Sequence, residues 1–409
     1  MFARAPKLWQ LAMAMSLVHP ALALAQDASA TLNEDGSVAI TGIAQPGQDV
    51  VVPATCLAEP SQAEIVVCAA DAFLATLNDD QKGQVLLSLT EENSAAWSNL
   101  PCGSSCRVGI QLADLDKEQL AAALAVVKAA TSDHGDDGFD ELTQVMMADD
   151  VLAASQALGE GDGMSVPPDV ASAPDGMQPT PDAMGAPPDG GDGGYASTSY
   201  FIAFLGTPGT VDTWQLQFGG HHLALLKTYK GASKVGDTPA FMGVEPKVWT
   251  DGDSIYGPLE DDRQSMVDML AGLSETQLAA AKLDDVFSDV LLGPGKDGQF
   301  PRTKVGLPVS ELGNAQKDLV LAAIGEWVRD TTSSSADTII ADYQAGLDET
   351  YIAYSGNSSL SAHADYVRID GPRVWIEFVC QDGVIYSTEI HYHTIWRDHE
   401  TDYGAVYSF

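Results

Sequence analysis

Residues 366–378 read YVRIDGPRVWIEF, and this stretch decides the fold prediction. Apolar and polar residues alternate on either side of a Gly-Pro bend, which is the pattern of two antiparallel strands joined as a hairpin. Residues 214–226, WQLQFGGHHLALL, resemble it, and residues 200–206, YFIAFLG, resemble residues 351–356, YIAYSG. The two halves of the chain are therefore predicted to carry equivalent sets of strands.

A second repeated pattern, apolar-x-x-Leu-polar-x-x-Gln, precedes each set of strands. It occurs as LATLNDDQ (74–81), LADLDKEQ (112–119), LAGLSETQ (270–277) and VSELGNAQ (309–316). In the first three copies Asn78, Asp116 or Ser274 stands three residues before the Gln, as in a capping box, so each copy predicts a helix start. We predict an α+β fold in which an internally duplicated unit, a helix pair plus antiparallel strands, forms two pseudo-symmetric halves of one domain. Chance resemblance between short amphipathic segments is the alternative.

Composition divides the chain into segments. Arg4 and Lys7 precede an apolar run, and Ala23-Leu24-Ala25 follows it, which is typical of a secretory signal peptide. No later run has the length of a membrane-spanning helix, so we expect an exported protein, periplasmic or secreted. The predicted segments are a signal peptide (1–25), an N-terminal extension (26–66), the helical part of the first half (67–158), a disordered linker rich in Pro, Gly, Asp and Met (159–194), the strands of the first half (195–258) and the second half (259–409).

The chain is strongly acidic, with a formal net charge of −38. Nucleic acid and anionic membranes need clustered Lys and Arg, so neither is an expected partner. A small molecule or a peptide of unidentified kind is the remaining expectation, and the sequence leaves the oligomeric state open.

Five cysteines in an exported chain predict disulfide bonds with one thiol left over. Cys102 and Cys106 flank the short loop GSS, and Cys56 and Cys68 form the other early pair. Cys380 lies alone in an apolar run and is expected to be a buried free thiol, with metal ligation as the alternative.

Several of these stretches together resemble a bacterial family catalogued as domain of unknown function 3500. They are FLATLNDDQ, YFIAFLGTP, WxLxxGGHHL, VRIDGPRVWIEF and HYHTIWRDHETDYG, and the resemblance runs from about Cys68 to Tyr403. It implies no activity, cofactor or catalytic residue. His399 stands where the family's Trp-Arg-Asp-Pro pattern has Pro, so the resemblance gives His399 no role.

The chemistry is therefore predicted from the spacing of histidines. His391 and His393 alternate along a strand, so both project from the same face about 7 Å apart. His221 and His222 follow the Gly219-Gly220 bend. Because adjacent strand residues point to opposite faces, at most one of them easily joins the cluster of His391 and His393. Three imidazoles with a water or a carboxylate match an open site for a divalent transition metal, zinc or copper. The alternative is that the histidines only pack and hydrogen-bond.

Three carboxylates accompany the predicted metal site. Asp398 and Asp402 are candidate catalytic residues, as a base or as orienting groups, although both can also cap a turn. Glu377 lies between two apolar residues of the preceding strand. A two-residue turn at Asp382-Gly383 places it on the face opposite the histidines, whereas a shift of one residue turns it toward them.

Three functions remain open from the sequence. The first is a metal-dependent hydrolase that uses metal-activated water. The second is a non-catalytic metal-binding protein for copper or zinc, for which methionines of the linker offer a second site. The third is a binding protein without enzymatic activity whose histidines are structural.

Overall fold

A computed structural model describes residues 29–32, 38–41, 45–47, 50–132, 137–157 and 194–409. The predicted signal peptide lies outside these residues, as does the predicted linker except for Gly194. The described chain is mixed α+β, as expected from the sequence patterns. Within it, none of the helices is both long enough and apolar enough to cross a membrane.

The helices form two sets, one on each side of the linker. They are α1 (Gln62–Thr76), α2 (Asp79–Val85), α3 (Glu91–Ser94), α4 (Lys117–Ala130), α5 (Phe139–Ala157), α6 (Glu260–Ala271), α7 (Glu275–Ala281), α8 (Asn314–Arg329) and α9 (Ser333–Ala345).

The four repeated motifs begin helices, which confirms that part of the prediction. Asn78, Asp116 and Ser274 cap α2, α4 and α7 in reciprocal capping boxes with the Gln three residues later. In the fourth motif Gly313 has no side chain, so only Gln316 contributes, by accepting from the Gly313 N–H at 3.0 Å. The boxes satisfy backbone donors that helix starts would otherwise leave unpaired.

The strands form one large and one small sheet. They are β1 (Ser29–Leu32), β2 (Val38–Thr41), β3 (Leu86–Leu87), β4 (Ile110–Gln111), β5 (Phe201–Leu205), β6 (Thr213–Gly220), β7 (Leu223–Lys230), β8 (Ser233–Gly236), β9 (Ala240–Val244), β10 (Trp249–Asp251), β11 (Ser254–Tyr256), β12 (Leu307–Pro308), β13 (Tyr351–Ser355), β14 (Tyr366–Asp370), β15 (Val374–Asp382) and β16 (Ile390–Asp398).

The large sheet joins strands from both halves of the chain. Its order is β12-β13-β14-β15-β16-β9-β7-β6-β5-β3, with β4 also on β5 and β8 also on β7. The pair β9 and β16 is antiparallel and connects the earlier strands to the later ones. The small sheet, β1-β2-β10-β11, attaches part of the N-terminal extension to the hairpin β10-β11, which follows β9 in the chain.

The two faces of the large sheet pack against different parts of the chain. On one face Tyr392 and Trp396 join the main core with the helices, and Trp327 of α8 donates from Nε1 to Thr394 Oγ1 at 2.8 Å. On the other face Val379 and Ile395 pack with Trp97, Val290 and the C-terminal Tyr403 in a second apolar cluster. Residues 283–306, here called the cover segment, supply Val290 to this second face and lie over it.

The connection between β15 and β16 differs from the two-residue turn considered above. Residues 383–389 join the strands, and Gln381 lies opposite His391 while Val374 lies opposite Asp398. Glu245 holds this longer connection, because its carboxylate accepts from the backbone N–H groups of residues 385 and 386 at 2.8 Å each. Glu377 therefore shares the sheet face of His391 and His393.

The cysteine prediction is confirmed. Cys56 is bonded to Cys68 and Cys102 to Cys106, while Cys380 is a buried free thiol. Burial raises the pKa of the Cys380 thiol to about 12, so it stays protonated and unreactive at neutral pH.

A buried histidine cluster as a candidate metal centre

Three histidines from distant parts of the sequence lie together on the covered face of the large sheet. His222, His391 and His393 each offer a nitrogen, and these nitrogens all lie within 4.8 Å of one another. The three residues are 3%, 1% and 0% exposed. Buried imidazoles that converge in this way are a typical donor set for a transition metal.

Strand β16 positions two of the rings. His391 and His393 are separated by one residue and so project from the same face. Their Nε2 atoms lie 3.2 Å apart. At this separation they either share a proton or direct two lone pairs toward one cation.

The third ring comes from the bend between β6 and β7. His222 has a positive φ of 58°, and its backbone is held by Asn99, which accepts from its N–H at 3.2 Å, and by the Gly243 N–H, which donates to its carbonyl at 2.7 Å. A left-handed conformation is uncommon for a residue with a side chain. The two backbone bonds keep the ring over β9 and β16.

Glycines make the close approach at this bend possible. A Cβ atom on Gly220 would lie 2.5 Å from the ring of Tyr200, and one on Gly219 would lie 2.4 Å from the carbonyl oxygen of Leu223. Arg107 also holds the bend, because its guanidinium donates to the Gly220 carbonyl at 2.5 Å. The Gly-Gly pair in the sequence is therefore required by packing.

Asp289 and Gln381 orient His393. Nδ1 of His393 lies 3.0 Å from a carboxylate oxygen of Asp289 and 3.0 Å from the amide nitrogen of Gln381. An amide N–H only donates and a carboxylate only accepts, so the contact with Gln381 needs a bare Nδ1 and the contact with Asp289 needs a protonated one. In the tautomer bonded to Asp289 the proton is on Nδ1. Nε2 then keeps its lone pair for a ligand role, as in carboxylate–histidine–metal arrangements.

His221 belongs to a second, adjoining donor group. Its Nδ1 lies 2.6 Å from a carboxylate oxygen of Asp149 on α5, and its ring stacks on His222 with centroids 3.7 Å apart. Asp149, His221 and His222 also offer ligand atoms within 4.8 Å of one another. The structure thus brings all four sequence-predicted histidines into one region, with His222 common to both groups.

Burial favours the neutral form of the central rings. It lowers the pKa of His222 and of His391 well below the usual imidazole value, and the neighbouring histidines lower both further. Neutral imidazole is the form that binds a metal. Both rings therefore carry free lone pairs at neutral pH.

Asp398 and Asp402 do not join the histidines, in contrast to their predicted catalytic role. Asp398 accepts from Tyr343 at 3.0 Å and from Arg373 at 2.8 Å, and Asp402 pairs with Arg397 at 2.9 Å. Asp398 lies five positions after His393 along β16, about 16 Å at the usual rise. Both carboxylates hold the end of β16 through arginine pairs and turn hydrogen bonds.

Glu377 faces the same side as the histidines but serves the cover segment. Its carboxylate accepts from the N–H groups of Leu291 and Leu292 at 2.7 and 3.0 Å, from Tyr366 at 2.7 Å and from Trp375 at 2.8 Å. Four donors leave it no free direction for a metal. Its burial is explained by this anchoring role.

Sequence reasoning missed Asp149, Asp289, Gln381 and Gly243. Asp149 lies in the helix before the linker, and Asp289 lies in an aperiodic stretch, DDVFSDVLLGPG. Only their contacts with distant histidines distinguish them from other acidic residues of an acidic chain. The Gly-Gly pair before His221 was the one local signal of close packing.

The family resemblance is confirmed. The family model described as Protein of unknown function (DUF3500) matches residues 59–405, so the chain belongs to this family. Neither the curated proteins nor the solved structures contain a match to the chain.

Proposed function

We propose that this member of the DUF3500 family binds a transition metal ion, zinc or copper, through His222, His391 and His393. The observation that carries the proposal is the convergence of three buried ring nitrogens within 4.8 Å. Ligands 2.0–2.1 Å from a tetrahedral zinc ion lie about 3.3 Å from each other. The 3.2 Å between the Nε2 atoms of His391 and His393 fits that spacing.

Metal retention without turnover is the form of this function that the geometry favours. The three rings are at most 3% exposed, and Asp289 of the cover segment contacts His393. A substrate would need the packing around the rings to open before it reached the ion. The export predicted from the N-terminal sequence is supported by the two disulfides, which persist in oxidising compartments.

A metal-dependent hydrolase is the second candidate function. Three histidines leave a fourth coordination position, where a bound metal would lower the pKa of a water molecule. Asp289 supports this candidate, because its side chain is 23% exposed and touches His393. It replaces Asp398 and Asp402 as the carboxylate available beside the ion.

Elemental analysis of untagged protein tests metal binding. After incubation with Zn²⁺ or Cu²⁺ and desalting, wild-type protein is expected to retain stoichiometric metal. His391→Ala or His393→Ala should lower the retained metal by one equivalent per chain, because each removes a central ligand. Hydrolase activity toward ester, phosphoester and peptide panels, present only in metal-loaded protein, would favour the second candidate.

His363→Ala is the matched control. His363 is 48% exposed and pairs with Asp382 at the surface. Its removal should leave the metal content unchanged. Absence of retained metal in the folded wild-type protein would overturn the proposed function and leave the histidines as structural residues.

We also propose that the chain is internally duplicated, with residues 67–158 and 195–258 as the first half and 259–409 as the second. Two glutamine contacts support this: Gln81 bonds Gln119 at 3.1 Å, and Gln316 bonds Gln277 at 2.8 Å. The large sheet gives further support. Outward from the central pair β9 and β16, it has β7, β6 and β5 on one side and β15, β14 and β13 on the other. An experimental structure in which the two halves fail to superpose would contradict the duplication.

A further inference from the structure

We infer that a second metal ion binds beside the first, held by Asp149, His221 and His222, with His222 bridging the two ions. This inference rests on the proposed function, because His222 is a ligand of both ions. It makes the site a two-ion centre that takes Zn²⁺ or Cu²⁺ at each position.

The donors of the second position converge as closely as those of the first. Asp149, His221 and His222 offer one carboxylate oxygen and two ring nitrogens within 4.8 Å. Asp149 is 1% exposed and His221 8%. A carboxylate with two imidazoles suits a divalent ion of borderline softness such as zinc or copper.

Asp149 is a buried carboxylate with an unused oxygen. Oδ1 contacts His221, but Oδ2 is buried without a hydrogen-bond partner among the described residues. Arg107 contributes positive charge nearby, but its guanidinium donates to the carbonyls of Ser98, Leu100 and Gly220 and to the disulfide sulfurs. A buried carboxylate oxygen without a partner is costly, and a metal ion at this position would be a partner for Oδ2.

Sharing of His222 follows from its place in both donor groups. Each imidazole nitrogen has one lone pair, so one nitrogen binds one ion and two ions require both nitrogens. Bridging therefore needs the imidazolate form of His222. Binding of the second ion displaces the remaining ring proton to solvent, and the two positive charges compensate the charge of the imidazolate.

The bend brings the His222 ring close to the rings of both groups. Its centroid lies 3.7 Å from that of His221, on which it stacks, and 5.3 and 5.0 Å from those of His391 and His393. The positive φ at His222 and its two backbone hydrogen bonds hold the bend in this position. The His222 ring is thus a near neighbour of both sets of donors.

Metal counting in three variants tests the inference. Wild-type protein loaded with Zn²⁺ alone and desalted is expected to hold two ions per chain by elemental analysis. Asp149→Asn should hold one, because the amide keeps an acceptor for His221 but is a poor ligand. His391→Ala should also hold one, and His222→Ala should hold none, because it leaves two donors at each position.

Asp150→Asn is the matched control. Asp150 is the next residue on α5 and accepts from the Ser197 N–H at 2.8 Å, but it belongs to neither donor group. It should retain two ions. Far-ultraviolet circular dichroism of each variant should match the wild type.

A copper experiment tests the bridge separately from the count. Protein loaded with two Cu²⁺ ions should give a weakened electron paramagnetic resonance signal, because imidazolate couples the spins. Asp149→Asn with one Cu²⁺ should give a full single-ion signal. Two uncoupled signals in the wild type would overturn the bridge.

The outcomes separate this inference from the proposed function. One ion in the wild type, lost in His391→Ala and unaffected by Asp149→Asn, would overturn the second position and leave the proposed function standing. Two ions that persist in Asp149→Asn would overturn the assignment of Asp149. No retained ion would overturn the proposed function as well.

Discussion

Gly243 lies on β9 at the point where two histidine rings approach the backbone. A Cβ atom at this position would lie 2.8 Å from Cδ2 of His393 and 3.0 Å from Cδ2 of His222. Contacts under 3.0 Å require the neighbours to shift, and the Cβ would also lie 2.9 Å from the Tyr392 carbonyl oxygen, so both the backbone of β16 and the ring of a proposed ligand would have to move. The absence of a side chain at residue 243 is therefore part of the site.

Gly243→Ala is predicted to weaken metal binding at least tenfold and to lower stability by about 1–3 kcal/mol through overpacking. Isothermal titration with Zn²⁺ and denaturant unfolding of metal-free protein measure the two effects. Gly83→Ala is the control, because a Cβ there meets no atom within 4 Å. Wild-type zinc affinity in Gly243→Ala would contradict the placement of the rings.

Some residues of the site can be predicted from the sequence alone and others cannot. His391 and His393 were assigned correctly to one strand face, because alternation depends only on local backbone geometry. Asp398 was close to them in sequence, but strand extension carries it away. Asp149 and Asp289 contact histidines that are 72 and 104 residues away in the chain. A local sequence pattern cannot predict contacts at such a separation.

The cover segment, residues 283–306, is without regular secondary structure and packs against the sheet face that carries His391 and His393. Glu377 anchors it through Leu291 and Leu292, and Arg397 donates to the Leu292 carbonyl at 2.7 Å. Asp289 in the same segment contacts His393. Anchoring of the segment and orientation of His393 are therefore linked.

Glu377→Gln is predicted to loosen the cover segment and to destabilise the fold by about 1–3 kcal/mol, since it leaves buried donors unsatisfied. The amides of residues 291 and 292 should exchange faster with deuterium, and bound zinc should dissociate faster. Hydrogen exchange mass spectrometry and chelator competition measure these changes.

Glu389→Gln is the control for this prediction. Its carboxylate pairs with the partly exposed Lys247 at 3.4 Å, and ion pairs that reach solvent contribute little to stability. Unchanged exchange at residues 291 and 292 in Glu377→Gln would show that the segment is held by other contacts.

Helix starts and strand alternation were predictable at the element scale, because capping boxes and two-residue periodicity are local. The connection from β15 to β16 was not. Its register depends on Glu245, which comes from the other half of the chain. The cover segment has no periodicity, so its position over the sheet had no sequence signal.

Carboxyl groups connect the two sets of helices at the scale of the whole molecule. Burial raises the pKa of Glu141 on α5 and of Asp262 on α6 well above usual values, and it raises the pKa of Asp330, after α8, to about 6. Nearby carboxylates raise the pKa of Glu141 and Asp262 further. The close carboxyls that raise the pKa of Glu141 lead us to expect that a proton shared with Asp262 or Asp330 stabilises this contact.

A carboxyl with a raised folded pKa stabilises the fold at low pH. Its contribution is fully present below the unfolded pKa of about 4 and is lost as the pH rises through the folded value. Glu141→Gln carries no charge, so its stability relative to the wild type is predicted to increase between pH 5 and pH 8. Urea unfolding of metal-free protein at both pH values measures the difference.

The prediction concerns the difference between variant and wild type, because the histidines change the stability of both proteins with pH in the opposite direction. His222 and His391 have lowered pKa values, so their contribution is present above pH 6.5 and falls as the pH decreases. Asp261→Asn is the control, because Asp261 is exposed beside Asp262. A pH-independent difference between Glu141→Gln and wild type would contradict the shared protons.

The pairing of β9 with β16 also bears on when the proposed metal would be acquired. Residues 240–244 pair with residues 392–396, so the contact closes only after both halves have formed, and contacts at such sequence separation form slowly. An unfolded chain lacks the preformed donor set. A chain threaded unfolded across a membrane would therefore arrive without its ions and take them from the compartment in which it folds, so the metal supply there would determine which ions fill the centre.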